Sequence, residues 1–532
     1  MPIKYASRIL WGSLILGLCF DLLFWKKAPG INFFIFVILV TAAGIIFAYL
    51  EGQKPAGLSW LLIGFVVFFS AMTFIRQEPF TTFINVLLTL VCMGLLVLTL
   101  TSGIWLRYSL ADAVTGAVRL VSSALGGGST LLVSSKKIAK TDSSDKPVNE
   151  HKRISIWAVL RGLLMAFPVV FLLALLLVSA DPIFSQALKR FLNIDQFMEY
   201  AVQMVMIAIT GYLLSGVYLY SLEKSKRKDL IGIDKPWFMP FLGFTESAII
   251  LGSVNLLFAF FVAVQFKYFF GGQANIAVDG YTFAEYARKG FGELVTVAFL
   301  SLLLYLGLSA ITRRDSNLKQ KWFAGLGVAL VGLVVVILVS SFYRLSLLED
   351  AYGFTRVRTY SHVFMIWLGI LLAVVIGLEI ANYRRGFAMA AFLVVIGFGI
   401  TLNILNVDSF ILVANVKRAE TSGNLDYSYL QELSNDSVPQ ALVQFRTTKV
   451  QEVKYLLGAA LACRADNLER NLKTWQWQGY HVSFVTAINE LRAAKPELSG
   501  YIVNNSADGW YANTVNTPVG EKDCYSISHR GD

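Results

Sequence analysis

Windows of about 20 apolar residues recur along the first three quarters of this chain. They fall near 8–25, 31–50, 58–76, 82–101, 156–180, 201–221, 244–268, 291–311, 322–343, 361–381 and 386–406. A stretch of that length crosses the hydrocarbon core of a bilayer as one helix, and a helix satisfies all its backbone polar groups within itself. The pattern therefore predicts an all-α integral membrane protein with about eleven transmembrane helices. Composition agrees: 56% of the 532 residues are hydrophobic and 15% charged, against about 25% charged in soluble domains. The lipid bilayer is thus the first partner. The net charge of +11 belongs to the flanks of membrane helices, so no nucleic-acid partner is expected.

Lys4 and Arg8 precede the first apolar run, but no small-residue cleavage site follows, and Leu18 before Cys19 argues against a lipoprotein cysteine. The segment reads as the first membrane helix. With the N-terminus cytoplasmic, the inside segments hold 22 Lys and Arg and the outside loops 11. This twofold bias predicts a bacterial inner-membrane protein with an extracytoplasmic C-terminus.

Four regions follow: a four-helix segment at 1–101, an inside loop at 102–155, a seven-helix core at 156–407, and a small, mainly helical extramembrane domain at 408–532. In the loop, Leu110, Val114, Ala117, Val118, Val121 and Leu125 form one apolar stripe, as in a helix lying on the membrane surface. Gly126 to Gly128 reads as a hinge ending that helix, because no Gly-Lys-Ser/Thr follows as in a phosphate loop. Lys136 to Arg153 reads as a flexible linker. In the last region Asp426 suits a helix cap, Asp436 or Ser437 a second with Pro439 in its first turn. Helical periodicity runs through 449–472 and again through 482–492, and turns with short strands are expected beyond Lys495. An oxidising compartment would permit a Cys463–Cys524 disulfide, with two free thiols the alternative.

Catalytic signatures are sparse. The four histidines are scattered and no Cys-x-x-Cys or His-x-x-x-His spacing occurs, so no metal is expected. Neither a Gly-x-Ser-x-Gly elbow nor a dinucleotide fingerprint occurs, so no cofactor is expected. Asp21, Glu246, Glu293 and Glu379 lie toward helix ends, away from the mid-membrane carboxylates of coupled transporters. Three polar bands stand out, all assigned to the outer face: Tyr281 to Glu293, Ala351 to His362, and Asn403 to Arg418. Glu285 reaches Arg288 and Lys289 at helical spacing. Thr355, Arg358 and His362 share one face, with Arg356 elsewhere. Asp408, Ile411, Asn415 and Arg418 share another. The candidate ligand-binding layer is Glu285, Arg288, Tyr352, Arg356, Arg358, Tyr360, Asp408, Asn415 and Arg418, suited to an anionic or polar ligand such as a lipid headgroup. The competing reading makes the bands mutual ion pairs that dock the tail onto the bundle.

Tyr352-Gly-Phe-Thr-x-x-Arg358-x-Tyr360, Glu285-Tyr-Ala-Arg-Lys-Gly-Phe291, Ala180-Asp-Pro-x-Phe184, and Leu402-Asn-x-x-Asn406-x-Asp408 with Asn415-x-x-Arg418 resemble bacterial polytopic membrane proteins. These are domain-of-unknown-function family 4173 and its relative, family 4153. The resemblance spans roughly residues 155–440, and Asp426-Tyr-x-Tyr-Leu-x-x-Leu433 with Val438-Pro439 fits it too. It implies an integral membrane protein and carries over no catalytic residues. The expected role is non-enzymatic: sensing, regulation or assembly at the cell envelope, with an envelope protein or a lipid headgroup as partner. Transport of a small anionic solute is the alternative, and a membrane glycosyl- or phosphoglycosyl-transferase a weaker one, since the first outer loop holds no acid.

Overall fold

The computed structural model describes residues 5–141, 194–225, 240–270, 291–381, 386–504, 513–518 and 520–524, with isolated residues 170, 173, 176, 177, 179–181, 230 and 383. The membrane-type helices are α1 (Ala6–Phe24), α2 (Ile31–Leu50), α3 (Ser59–Ile75), α4 (Pro79–Thr99), α6 (Ile194–Lys224), α7 (Phe244–Phe270), α8 (Phe291–Ile311), α9 (Asn317–Tyr352), α10 (Arg356–Ile380) and α11 (Phe387–Leu405). Between α4 and α6 runs α5 (Leu110–Thr141). A C-terminal cap follows: α12 (Val407–Ser422), α13 (Tyr427–Glu432), α14 (Val438–Thr447), α15 (Gln451–Leu472), α16 (Val482–Ala493), and strands β1 (Ile502–Asn504), β2 (Asn513–Thr517) and β3 (Gly520–Cys524).

Among the described residues, nine helices are long and apolar enough to cross a membrane, and α3 is a tenth apolar helix of 17 residues. The expected span at 156–180 lies largely outside the described residues. On α7, Leu256, Leu257 and Phe260 are 74%, 62% and 69% exposed, and a helix showing that much apolar surface belongs in lipid. This is the architecture of a multi-pass membrane protein whose apolar spans are all helical, with one small sheet in the cap.

The chain divides into two compact units. In the first (residues 1–27, 39–54 and 119–225), α1 and α6 run antiparallel in close contact. A Cβ on Gly17 would lie 2.4 Å from the Ile207 carbonyl oxygen, and at the far end Glu199 accepts from Trp25 Nε1 at 2.9 Å and pairs with Lys26. Gly126 to Gly128 do not end α5, which continues to Thr141; the expected hinge is a helix interior, and Lys136 to Thr141 are helical rather than linker. The reason is packing. Gly127 meets the Gly216 backbone, a Cβ on Gly216 would strike the Ser123 carbonyl, and Tyr212 donates to the Leu125 carbonyl at 2.7 Å. Small residues admit this backbone approach, which offsets the low helix propensity of glycine.

The second unit comprises residues 28–38, 55–118 and 226–532. One core, including Leu251, Phe323, Val334, Leu345, Met365 and Leu372, joins α7 to α10. Another, with Val66, Phe69, Leu88, Cys92 and Ile396, joins α3, α4 and α11. At one end of these helices Arg314 pairs with Glu379 at 2.7 Å, and its guanidinium lies 3.6 Å from the Phe323 ring centroid. The opposite end carries the cap. The cap core (Ile411, Leu433, Leu442, Leu457, Ala487) takes in Val363 of α10 and Leu402 of α11, so cap and helix ends share one apolar interior. The antiparallel sheet, order β1-β2-β3, packs on α15 around Ala459, Cys463, Val515 and Cys524.

Candidate functional site

Five chain segments meet where the cap sits on the helix ends: the α3–α4 loop, the start of α10, the α11–α12 junction, the α13–α14 turn, and the start of α16. Local chemistry sets each one. Glu78 caps α4 through the Phe80 and Thr81 N–H groups, with Pro79 in the first turn. Asn406, at φ 49°, is the single left-handed residue that turns α11 into α12, a conformation asparagine tolerates well. Gly353, at φ 83°, ends α9.

Asp408 is the centre. Its side chain is fully buried and accepts Arg356 Nε at 2.8 Å, Arg356 Nη2 at 2.7 Å and the Ser434 N–H at 2.6 Å. The fork of the guanidinium matches both carboxylate oxygens. Arg356 Nη2 also donates to the Glu432 carbonyl at 2.9 Å, and Glu78 stands 3.8 Å away. The Arg356 backbone N–H donates to the Tyr429 hydroxyl oxygen at 2.8 Å, and burial raises the Tyr429 phenol, so it stays neutral.

A second buried acid, Asp436, ties cap to loop. It accepts the Gln77 and Glu78 N–H groups at 2.7 and 3.0 Å and the hydroxyls of Ser434 and Ser483. It does not cap α14 as its position suggested; Pro439 does sit in that helix's first turn. Arg76 donates to the Asn403 carbonyl at the end of α11 (2.8 Å) and lies 3.9 Å from Asp436. Beneath it, the buried Asn85 and Asn403 exchange reciprocal amide hydrogen bonds of 3.0 and 2.7 Å. On the cap side Arg464 donates to the Gln431 and Leu433 carbonyls. Burial pushes its guanidinium down to about 10, still charged at neutral pH.

The remaining expected residues gather beside this knot. Asn415 holds Phe354 by both backbone groups, at 2.7 and 2.9 Å. Arg358 donates to the Gly353 carbonyl and Arg418 to that of Asn424. The Tyr360 ring sits 4.4 Å from that of Phe80, and Tyr352 is exposed. Glu285 and Arg288 lie outside the described residues. Cys463 and Cys524 are joined Sγ to Sγ, with Cα atoms 5.5 Å apart. Among the described residues no group of three or more His, Cys, Asp and Glu side chains is arranged for a metal ion.

Arg76, Asn85 and Glu349 are not among the residues the sequence singles out, and Asp436 is singled out there only as a helix cap. The Glu-Pro pair at 78–79 is a helix-start signal, Asn85 is a polar residue within an apolar helix and Glu349 stands beside Asp350 near the end of α9, but the partners of Arg76, Asn85 and Asp436 are several hundred positions away. The buried Glu349 carboxylate lies 3.4 Å from His362 Nδ1.

A multi-pass helical bundle with a small cap locked to one end by buried ion pairs is thus the class of the molecule. The chain matches the model of Domain of unknown function (DUF4153) over residues 63–442 and belongs to that family. The match begins within α3, well before the stretch where the resemblance was legible, and is to the relative, family 4153. No curated protein and no solved structure matches the chain.

Proposed function

We propose that this chain is a bacterial inner-membrane protein with eleven spans, a cytoplasmic N-terminus and an outward-facing cap. It serves a non-enzymatic sensing, regulatory or assembly role at the cell envelope. One observation carries the reading: the buried acids of the polar layer are taken up by groups of the protein itself. Arg356 and Asp408 saturate each other, and Asp436 binds backbone from the α3–α4 loop. A layer arranged this way couples cap to helices, so a partner held by the cap shifts the helix ends and the reverse. The excess of Lys and Arg in the inside loops supports the orientation. Purified protein offered lipid-linked and glycan substrates is expected to show no turnover. Turnover that disappears in Arg358→Ala would overturn the proposal.

A further inference from the structure

Several arginines of the second unit have carboxylate partners, Arg356 with Asp408, Arg314 with Glu379 and Arg446 with Glu497, while Arg464 and Arg313 bond backbone carbonyls. Arg358 and Arg418 form no ion pair among the described residues, although they flank the same glycine. Arg358 Nη1 donates to the Gly353 carbonyl, and a Cβ on Gly353 would lie 3.2 Å from Arg418 Nε and 3.3 Å from its Nη2. Each guanidinium gives one hydrogen bond to a backbone carbonyl, and the buried Nε of Arg418 has no acceptor. Glu349 attracts Arg358 without forming an ion pair with it and has His362 Nδ1 at 3.4 Å. The two like charges repel, though less than Glu349 attracts Arg358, and an anion held by both removes that cost. Gly353 is buried between them, and its missing side chain is what lets the two arginines come this near to one backbone segment. The pair sits in the first turn of α10 and on α12, with Tyr352 and Val357 58% and 71% exposed beside it. That is the depth of headgroups for a helix whose apolar run starts just beyond.

We infer that Arg358 and Arg418 bind a phosphate-class anion, the headgroup phosphate of an anionic lipid. The inference rests on reading α10 as a membrane span and gives the proposed envelope role a ligand class. Arg356, committed to Asp408, is not part of the site. The test is native mass spectrometry of the full chain in neutral detergent, titrated with phosphatidylglycerol, with phosphatidylcholine, and with inorganic phosphate. One phosphatidylglycerol should be retained in preference to phosphatidylcholine. Arg358→Gln with Arg418→Gln should weaken that retention about thirtyfold, two charges' worth at a membrane surface. Arg418→Gln alone, which gives up one exposed hydrogen bond, should weaken it about fivefold and guards against misfolding of the double variant. Equal retention by wild type and both variants would overturn the inference while leaving the non-enzymatic reading standing. Displacement of the lipid by millimolar inorganic phosphate would overturn the lipid assignment in favour of a soluble anion.

Discussion

Replacing Asp408 by asparagine keeps the shape of the side chain and removes its charge. In the native protein the carboxylate accepts two guanidinium hydrogen bonds and one backbone N–H, all within 2.8 Å, with no exposed surface. The amide presents an NH2 group to one of these three donors and leaves Arg356 without its counter-ion. Breaking a buried pair from one side costs roughly 3–5 kcal/mol. Arg356 is 23% exposed and keeps Glu432 and the nearby Glu78, so the lower end applies, about 3 kcal/mol. Expressed as local opening, that is roughly 150-fold faster amide exchange, concentrated in α13, the 434–437 turn and the first turn of α10. Exchange of α8, which lies outside this knot, should not change. The matched double variant, Arg356→Met with Asp408→Leu, should recover much of the loss, because it leaves no orphaned charge. Exchange in Asp408→Asn within about threefold of wild type would refute the reasoning, since it would place the pair's worth near that of an exposed ion pair.

Three further outcomes follow from single residues. Gly353→Ala should destabilise the cap junction by roughly 1–3 kcal/mol through its backbone conformation, and further because its Cβ would meet Asn415 Oδ1 at 2.8 Å. Gly423→Ala, also at positive φ but with nothing within 4 Å, should cost only about 1–2 kcal/mol; thermal unfolding of the two variants in detergent compares them. Gly216→Leu should separate α5 from α6, because even a Cβ there would lie 2.3 Å from the Ser123 carbonyl oxygen, and should raise protease cleavage within α5. His481 donates from Nε2 to the Pro29 carbonyl at 3.0 Å. Burial lowers its pKa below 6.5, so the unfolded state binds the proton first. Its contribution to stability is full above pH 6.5 and declines as pH falls through that value toward the folded pKa. His481→Gln should flatten this part of the stability–pH curve.

The spans were legible because hydropathy alone marks them: the expected 244–268 and 291–311 correspond to α7 and α8 within two residues at each end. Asp426 as a cap, and α15 and α16, followed from local signals. The α5 glycines misled because their role depends on a surface of α6 about 90 positions away, invisible in a local window. Of the band residues, Arg356, Arg358, Asp408, Asn415 and Arg418 gather where the cap meets the helix ends. What composition did not contain was the pairing, since Arg356 with Asp408 and Asn85 with Asn403 are separated by 52 and 318 positions. Asp436 shows the same limit: its neighbours recommend a helix cap, and the tertiary fold presents it with backbone donors from the α3–α4 loop instead.

Thiol reactivity tests most directly whether the cap faces outward. Cys463 and Cys524 are the pair in the cap, while Cys19 and Cys92 lie in α1 and α4. A membrane-impermeant maleimide applied to intact cells should label the cap cysteines only after treatment with reductant, the result that the proposed outward cap and the Cys463–Cys524 bridge require. Labelling that appears only after lysis, and without reductant, would contradict the account by placing the cap in the cytoplasm with free thiols.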